Sequence, residues 1–96
     1  MAKFVLSPQA QKSLKQIQRY TFENYGKQPT SLYLNGLRKR MQQLAKFPLD
    51  GKPRSEIKTG YYSYYEGRHT IYYRIRDMHI DIIDILHQSM EPDRYL

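Results

Sequence analysis

Apolar positions along the chain follow changing spacings, and each spacing predicts a different element. Lys3–Leu6 is a short apolar run that reads as an edge strand and stops at Ser7-Pro8. Ser7 suits a helix N-cap, and Pro8 suits the first helical position, where its missing N–H leaves no bond unmade. From there Ala10, Leu14, Ile17, Thr21 and Tyr25 recur at steps of three or four and mark one helical face, with Gln11, Lys12, Lys15, Gln18 and Arg19 on the other. Gly26 is placed to close this helix in the left-handed conformation. Pro29 is expected to open a second helix, striped by Tyr33, Leu37, Met41, Leu44 and Ala45 and ended by Phe47-Pro48. So short a connection makes the two a helical hairpin.

Residues 49–60 have no clean period, contain Asp50-Gly51, Pro53 and Gly60, and read as a loop. After Gly60 the period falls to two. Tyr61–Glu66 is an aromatic-rich strand, Gly67-Arg68 a tight turn, and Thr70–Arg76 a strand that sets Ile71, Tyr73 and Ile75 against Thr70, Tyr72, Arg74 and Arg76. Asp77-Met78 turns the chain again. His79–His87 is apolar on both faces, as an interior strand requires. The tail from Gln88 is polar, with Pro92 as a breaker. The order β-α-α-β-β-β predicts an α+β domain spanning residues 1–96, with the hairpin packed on one face of a mainly antiparallel sheet and the other face open.

Charge sharpens this outline. The net charge is +7, and it is unevenly spread: residues up to Lys58 carry 12 Lys/Arg against 3 Asp/Glu, the remainder 4 against 6. A basic first half favours an acidic protein segment or nucleic acid as partner. The absence of cysteine excludes disulfides and Cys-based zinc sites and fits a reducing cytoplasm. No apolar stretch is long enough to span a bilayer, and the N-terminus lacks the form of a signal peptide. A cytoplasmic protein with no membrane partner is expected.

Candidate chemistry is sparse. The sequence has no Gly-rich phosphate loop and no zinc spacing, so neither metal nor cofactor is expected. His69, His79 and His87 are scattered along strands and form no motif, and Asp81 and Asp84 fall on opposite faces of one strand. Two constellations remain. The first is basic: Lys52, Arg54, Lys58, Arg68, Arg74 and Arg76. Arg74 and Arg76 share a strand face with Tyr72, an arrangement that can bind phosphates and stack on bases, or equally form a solvated ion-paired surface. The second is aromatic: Tyr61, Tyr62, Tyr64, Tyr65, Tyr72 and Tyr73, half expected in the core and the others on an exposed face fit for a protein partner.

With these residues in place the chain resembles the ParE toxins of the RelE/ParE superfamily. Four stretches carry the resemblance. They are Leu6-Ser7-Pro8…Tyr25-Gly26, where members often have Trp before the Gly; Tyr33…Leu37…Leu44–Pro48…Gly51–Ile57; Gly60–Tyr64…Gly67–Ile75; and Ile80–Leu86 with His87, Met90 and Arg94-Tyr95-Leu96. The chain departs from the family at Ser89, where many members have Arg. The resemblance implies the toxic component of a type II toxin–antitoxin system, neutralised by a ParD-like antitoxin whose acidic C-terminal segment wraps it. Operator DNA is then met through the antitoxin. ParE-like members poison DNA gyrase and need no catalytic residues, so Lys52, Arg54, Arg68, Arg74 and Arg94 are expected to contact the target or its DNA. Tyr62, Tyr64, Tyr72, Arg74 and Arg76 are expected to bind antitoxin. The alternative is a RelE-like, ribosome-dependent mRNA endonuclease, with Arg54, Arg74 and Arg76 on the phosphate and His87 or Tyr95 as acid or base. A third possibility is a non-toxic relative that acts only as a co-repressor partner.

Overall fold

The computed structural model describes residues 2–96. The elements are β1 (Phe4–Leu6), α1 (Pro8–Tyr25), α2 (Lys27–Lys46), a single 3₁₀ turn (Pro48–Asp50), β2 (Lys52–Pro53), β3 (Tyr61–Glu66), β4 (His69–Ile75), β5 (Ile80–His87) and a last short turn of helix, α3 (Pro92–Tyr95). The five strands form one sheet in the order β1-β5-β4-β3-β2. Only β1 runs parallel to its neighbour; the β2–β3, β3–β4 and β4–β5 pairs are antiparallel. The α+β architecture expected from the sequence is therefore present, with a fifth strand in what had read as loop. β2 has two residues, one of them proline, so it carries no period of its own. Pro53 is tolerated because the strand lies at the sheet edge.

Ser7 ties the first corner together. Its hydroxyl accepts the Ala10 N–H at 2.9 Å, capping α1, and donates to the Ile83 carbonyl of β5 at 2.6 Å. Gly26 alone links the helices, and α2 begins two residues before Pro29. Gly26 is also not left-handed helical: at φ 87°, ψ −175° it occupies a region that is essentially glycine-only. That conformation reverses the chain within one residue.

Ala10 and Ile17 of α1, Leu37, Met41, Leu44 and Ala45 of α2, and Ile71, Tyr73, Ile80, Ile82 and Ile85 of the sheet form the core. Of the stripe expected on α2, Leu37, Met41, Leu44 and Ala45 are buried and Tyr33 packs partly buried against the core. Tyr25, expected on the core face of α1, is 54 % exposed, because it belongs to the last turn of that helix. Tyr73 is fully buried, and its hydroxyl is satisfied at both ends: it donates to Pro48 O at 2.6 Å and accepts from Gly51 N at 3.1 Å. Burial pushes its pKa up to about 12. A Cβ on Gly51 would collide with that hydroxyl, so glycine is required there for close approach.

The β4–β5 pairing contains one irregularity. Arg74 pairs with Asp81 and Tyr73 with Ile82, but Tyr72 pairs with Asp84, so Ile83 is an extra residue in β5. This β-bulge shifts the register of the rest of the hairpin by one residue.

Candidate functional sites on the two sides of the sheet

β4 alternates, so His69, Ile71 and Tyr73 face the helices while Thr70, Tyr72 and Arg74 face away. On the outer side the segment after β2 folds back over the sheet. Arg54 donates to Ser63 Oγ at 3.1 Å, pairs with Glu56 at 2.6 Å, and holds its guanidinium 5.7 Å from the Tyr72 ring centre. Arg74 lies over Tyr61 at 5.8 Å. Tyr72 is consequently only 4 % exposed. This corrects the expectation of an open Tyr72 surface: arginines, rather than the tyrosine, form the outer face. Among the described residues Arg74 has no ion-pair partner. Lys52 is exposed on the β2 edge, and Arg68 is exposed in the β3–β4 turn. Arg76 is bound to Asp81 at 2.7 Å, and His79 bonds the other oxygen of the same carboxylate at 2.8 Å. Arg94 and Tyr95 lie exposed in α3.

Tyr62 and Tyr64 do not stand on the outer face either. Both belong to the helix side and pack partly buried against the core. Tyr62 stacks on Tyr73 with ring centres 5.6 Å apart, and Tyr64 is covered by Arg40 at 4.5 Å, which in turn pairs with Glu66 at 2.8 Å. Neither is presented as a free aromatic surface.

The helix side holds a site that sequence reasoning missed. A groove of about 700 Å³ runs between α1, the start of α2 and the far end of the β4–β5 hairpin, lined among others by Ile17, Tyr20, Tyr25, Tyr33, His69 and His87. Its walls are largely apolar, and Tyr20 and Tyr25 stand more than half exposed at its rim. On its floor His69 pairs directly across the strands with His87, the rings edge to face with centres 5.3 Å apart. The Tyr33 hydroxyl accepts the Arg68 N–H at 3.0 Å and makes a 2.5 Å hydrogen bond to His69 Nδ1. Burial first, and the neighbouring His87 second, lower the His69 pKa to about 4, so its imidazole is neutral near pH 7. The Tyr33 hydroxyl also lies 3.3 Å from the Glu66 carbonyl, to which it can donate, and burial raises the pKa of Tyr33. Gly67 makes room for this bond: it has φ 61°, and a Cβ there would sit 2.6 Å from the Tyr33 ring. Beside the groove, Ser13 of α1 donates to the buried Asp84 at 2.5 Å, and burial raises that carboxyl.

The proposed acid, base and phosphate groups do not converge. His87 lies on the helix side, while Arg54 and Arg74 lie on the outer side of the same sheet, and Tyr95 sits on α3.

Comparison with known proteins now decides the family. A family model described as the ParE toxin of the type II toxin–antitoxin system parDE matches residues 4–92. The chain belongs to the ParE toxin family. It is 34 % identical to Toxin ParE1 of Mycobacterium tuberculosis over 99 % of this chain and 98 % of that protein. It is 29 % identical to Toxin ParE1 of Caulobacter vibrioides over 100 % of this chain and 99 % of its relative. Among solved structures, a chain of the chromosomal ParDE system from P. aeruginosa superposes with a TM-score of 0.75 at 15 % identity, covering 91 % of this chain and 95 % of its own. A chain of the RelBE2 toxin–antitoxin complex from M. tuberculosis gives 0.66 at 20 % identity, covering 90 % and 96 %. At those identities the structures establish the ParE/RelE fold. None of the helices described in this ParE-family chain is long and apolar enough to cross a membrane.

Proposed function

We propose that this ParE-family toxin stops growth by binding DNA gyrase through the outer, basic side of its sheet, and that a ParD-like antitoxin neutralises it by occupying the groove on the helix side. The observation that carries the first half is the arrangement of Arg54 and Arg74, planar cations laid over Tyr72 and Tyr61 with Lys52 beside them on the sheet edge. Such a face suits an anionic or nucleic-acid-bound target. Separation of His87 from these arginines by the thickness of the sheet weighs against the mRNA endonuclease reading, which needs an acid or base within reach of the held phosphate.

The second half rests on the groove. It is apolar and bordered by Arg68, and the exposed face of α1 adds Lys12, Lys15 and Arg19. An acidic, amphipathic segment that orders on binding complements it in both shape and charge. A supercoiling assay tests both halves. Purified toxin should inhibit gyrase, and addition of the antitoxin encoded beside it should restore activity. Growth arrest with intact supercoiling and codon-position mRNA cleavage would establish the nuclease instead.

A further inference from the structure

Resting on the reading of the groove as the antitoxin site, the geometry points to His87 as a positioned hydrogen-bond donor that selects an antitoxin residue carrying a carbonyl or carboxylate acceptor, with His69 and Tyr33 as its positioning residues.

The tautomer is set by the neighbours. The backbone N–H of Ser89 points at His87 Nδ1 at 3.1 Å, and Ser89 Oγ lies 2.8 Å from the same atom. An N–H can only donate, so Nδ1 is an acceptor and the ring hydrogen is carried on Nε2. Nε2 of His87 has no hydrogen-bond partner among the described residues, and it is not sealed from solvent: among those residues the buried side-chain atom left without a partner is Asp84 Oδ2. The ring is fixed by the Ser89 turn and by its perpendicular contact with the His69 ring, itself anchored through Nδ1 to Tyr33. A donor held by Ser89 and His69 in the wall of an apolar groove loses little entropy when it meets an acceptor, and a purely aliphatic partner would leave it unpaired. An aliphatic segment is thereby disfavoured, and one with Asn, Gln, Asp or Glu among its apolar anchors is preferred.

Two measurements test this on the full chain. Long-range ¹H–¹⁵N correlation spectra of the free toxin should place the His87 hydrogen on Nε2; an Nδ1–H tautomer overturns the inference. Calorimetric titration with the antitoxin encoded beside the toxin should show His87→Phe weakening binding about tenfold at unchanged melting temperature, while His87→Gln, which keeps a donor near the Nε2 position, stays within about threefold. Full affinity in His87→Phe sinks the inference. Tyr20→Asp and Tyr25→Asp, surface changes at the groove rim, separate the levels. If they weaken binding and His87→Phe does not, the groove is the antitoxin site and His87 is a bystander. If none of the three matters, the groove reading itself falls.

Discussion

The two sides of this one sheet are built for opposite kinds of recognition. The helix side is an open, largely apolar groove whose polar groups, Tyr33, His69 and His87, contact one another and Ser89 and are held in fixed directions. The outer side is cationic, with the rings of Tyr72 and Tyr61 beneath guanidinium groups. Groove binding should depend on packing and change little with salt. Binding to the arginine face should be fast, steered by charge, and weakened as ionic strength rises. On the proposed function, the two partners are kept apart by chemistry as well as by place.

The largest effect should come from inverting the charge of one side alone. Lys52→Glu with Arg74→Glu should reduce gyrase inhibition by about a hundredfold while antitoxin affinity changes by less than about threefold. Neither side chain is in an ion pair among the described residues, but Arg74 covers Tyr61 and lies opposite Asp81, so some stability should be lost and inhibition is compared at equal folded protein. Equal loss on both partners would mean that the two sides are not separate sites.

Gly67→Ala attacks the other side. The turn has φ 61°, and the new methyl would meet the Tyr33 ring at 2.6 Å. The cost should be about 2 kcal/mol in denaturant unfolding, with antitoxin affinity falling and gyrase inhibition by the folded fraction unchanged.

Next in size is a pH effect. His69 titrates at about 4 when folded and near its ordinary 6.5 when unfolded. Between those values the unfolded chain binds the extra proton, so the stability this site contributes is full above about pH 6.5 and is lost as pH falls towards 4. The expected loss is about 1–2 kcal/mol, reduced from the full shift because the ring is only partly buried. Asp84 acts in the opposite sense: its raised carboxyl contributes stability at low pH that is lost as pH rises. Comparing denaturant curves of the native chain and His69→Gln at pH 7 and pH 4.5 isolates the histidine. Parallel curves at the two pH values would show that the imidazole is not held neutral by the fold.

Much of this architecture was legible in the sequence, and the gaps have physical causes. The α2 stripe and the β3 and β4 periods come from burial on one face, which leaves a trace at every third, fourth or second residue. The outer face misled because Tyr72 is buried by Arg54, which arrives from a segment with no period. The histidine site was hidden by the bulge. Counting outward from Ile75 opposite Ile80 without interruption puts Leu86 across from His69; the extra Ile83 substitutes His87. No local pattern marks Ile83 as unpaired. Its carbonyl is taken by Ser7 from the β1–α1 corner, a contact 76 residues away in sequence.

The smallest expected effect tests whether cations on the outer side serve binding rather than stability. Arg76 and Asp81 meet at 2.7 Å, yet their side chains are 47 % and 33 % exposed. Water screens such a pair, and ordering two side chains offsets part of the attraction. Arg76→Ala should therefore cost less than about 1 kcal/mol of stability, and the difference should vanish in high salt. Asp81 keeps His79 as a partner, so its carboxylate is not stranded, which bounds the loss further. A cost well above that bound would mean that the Arg76–Asp81–His79 cluster braces the β4–β5 turn. Arg76 would then be structural, and the recognition surface of the outer side would remain Lys52, Arg54 and Arg74.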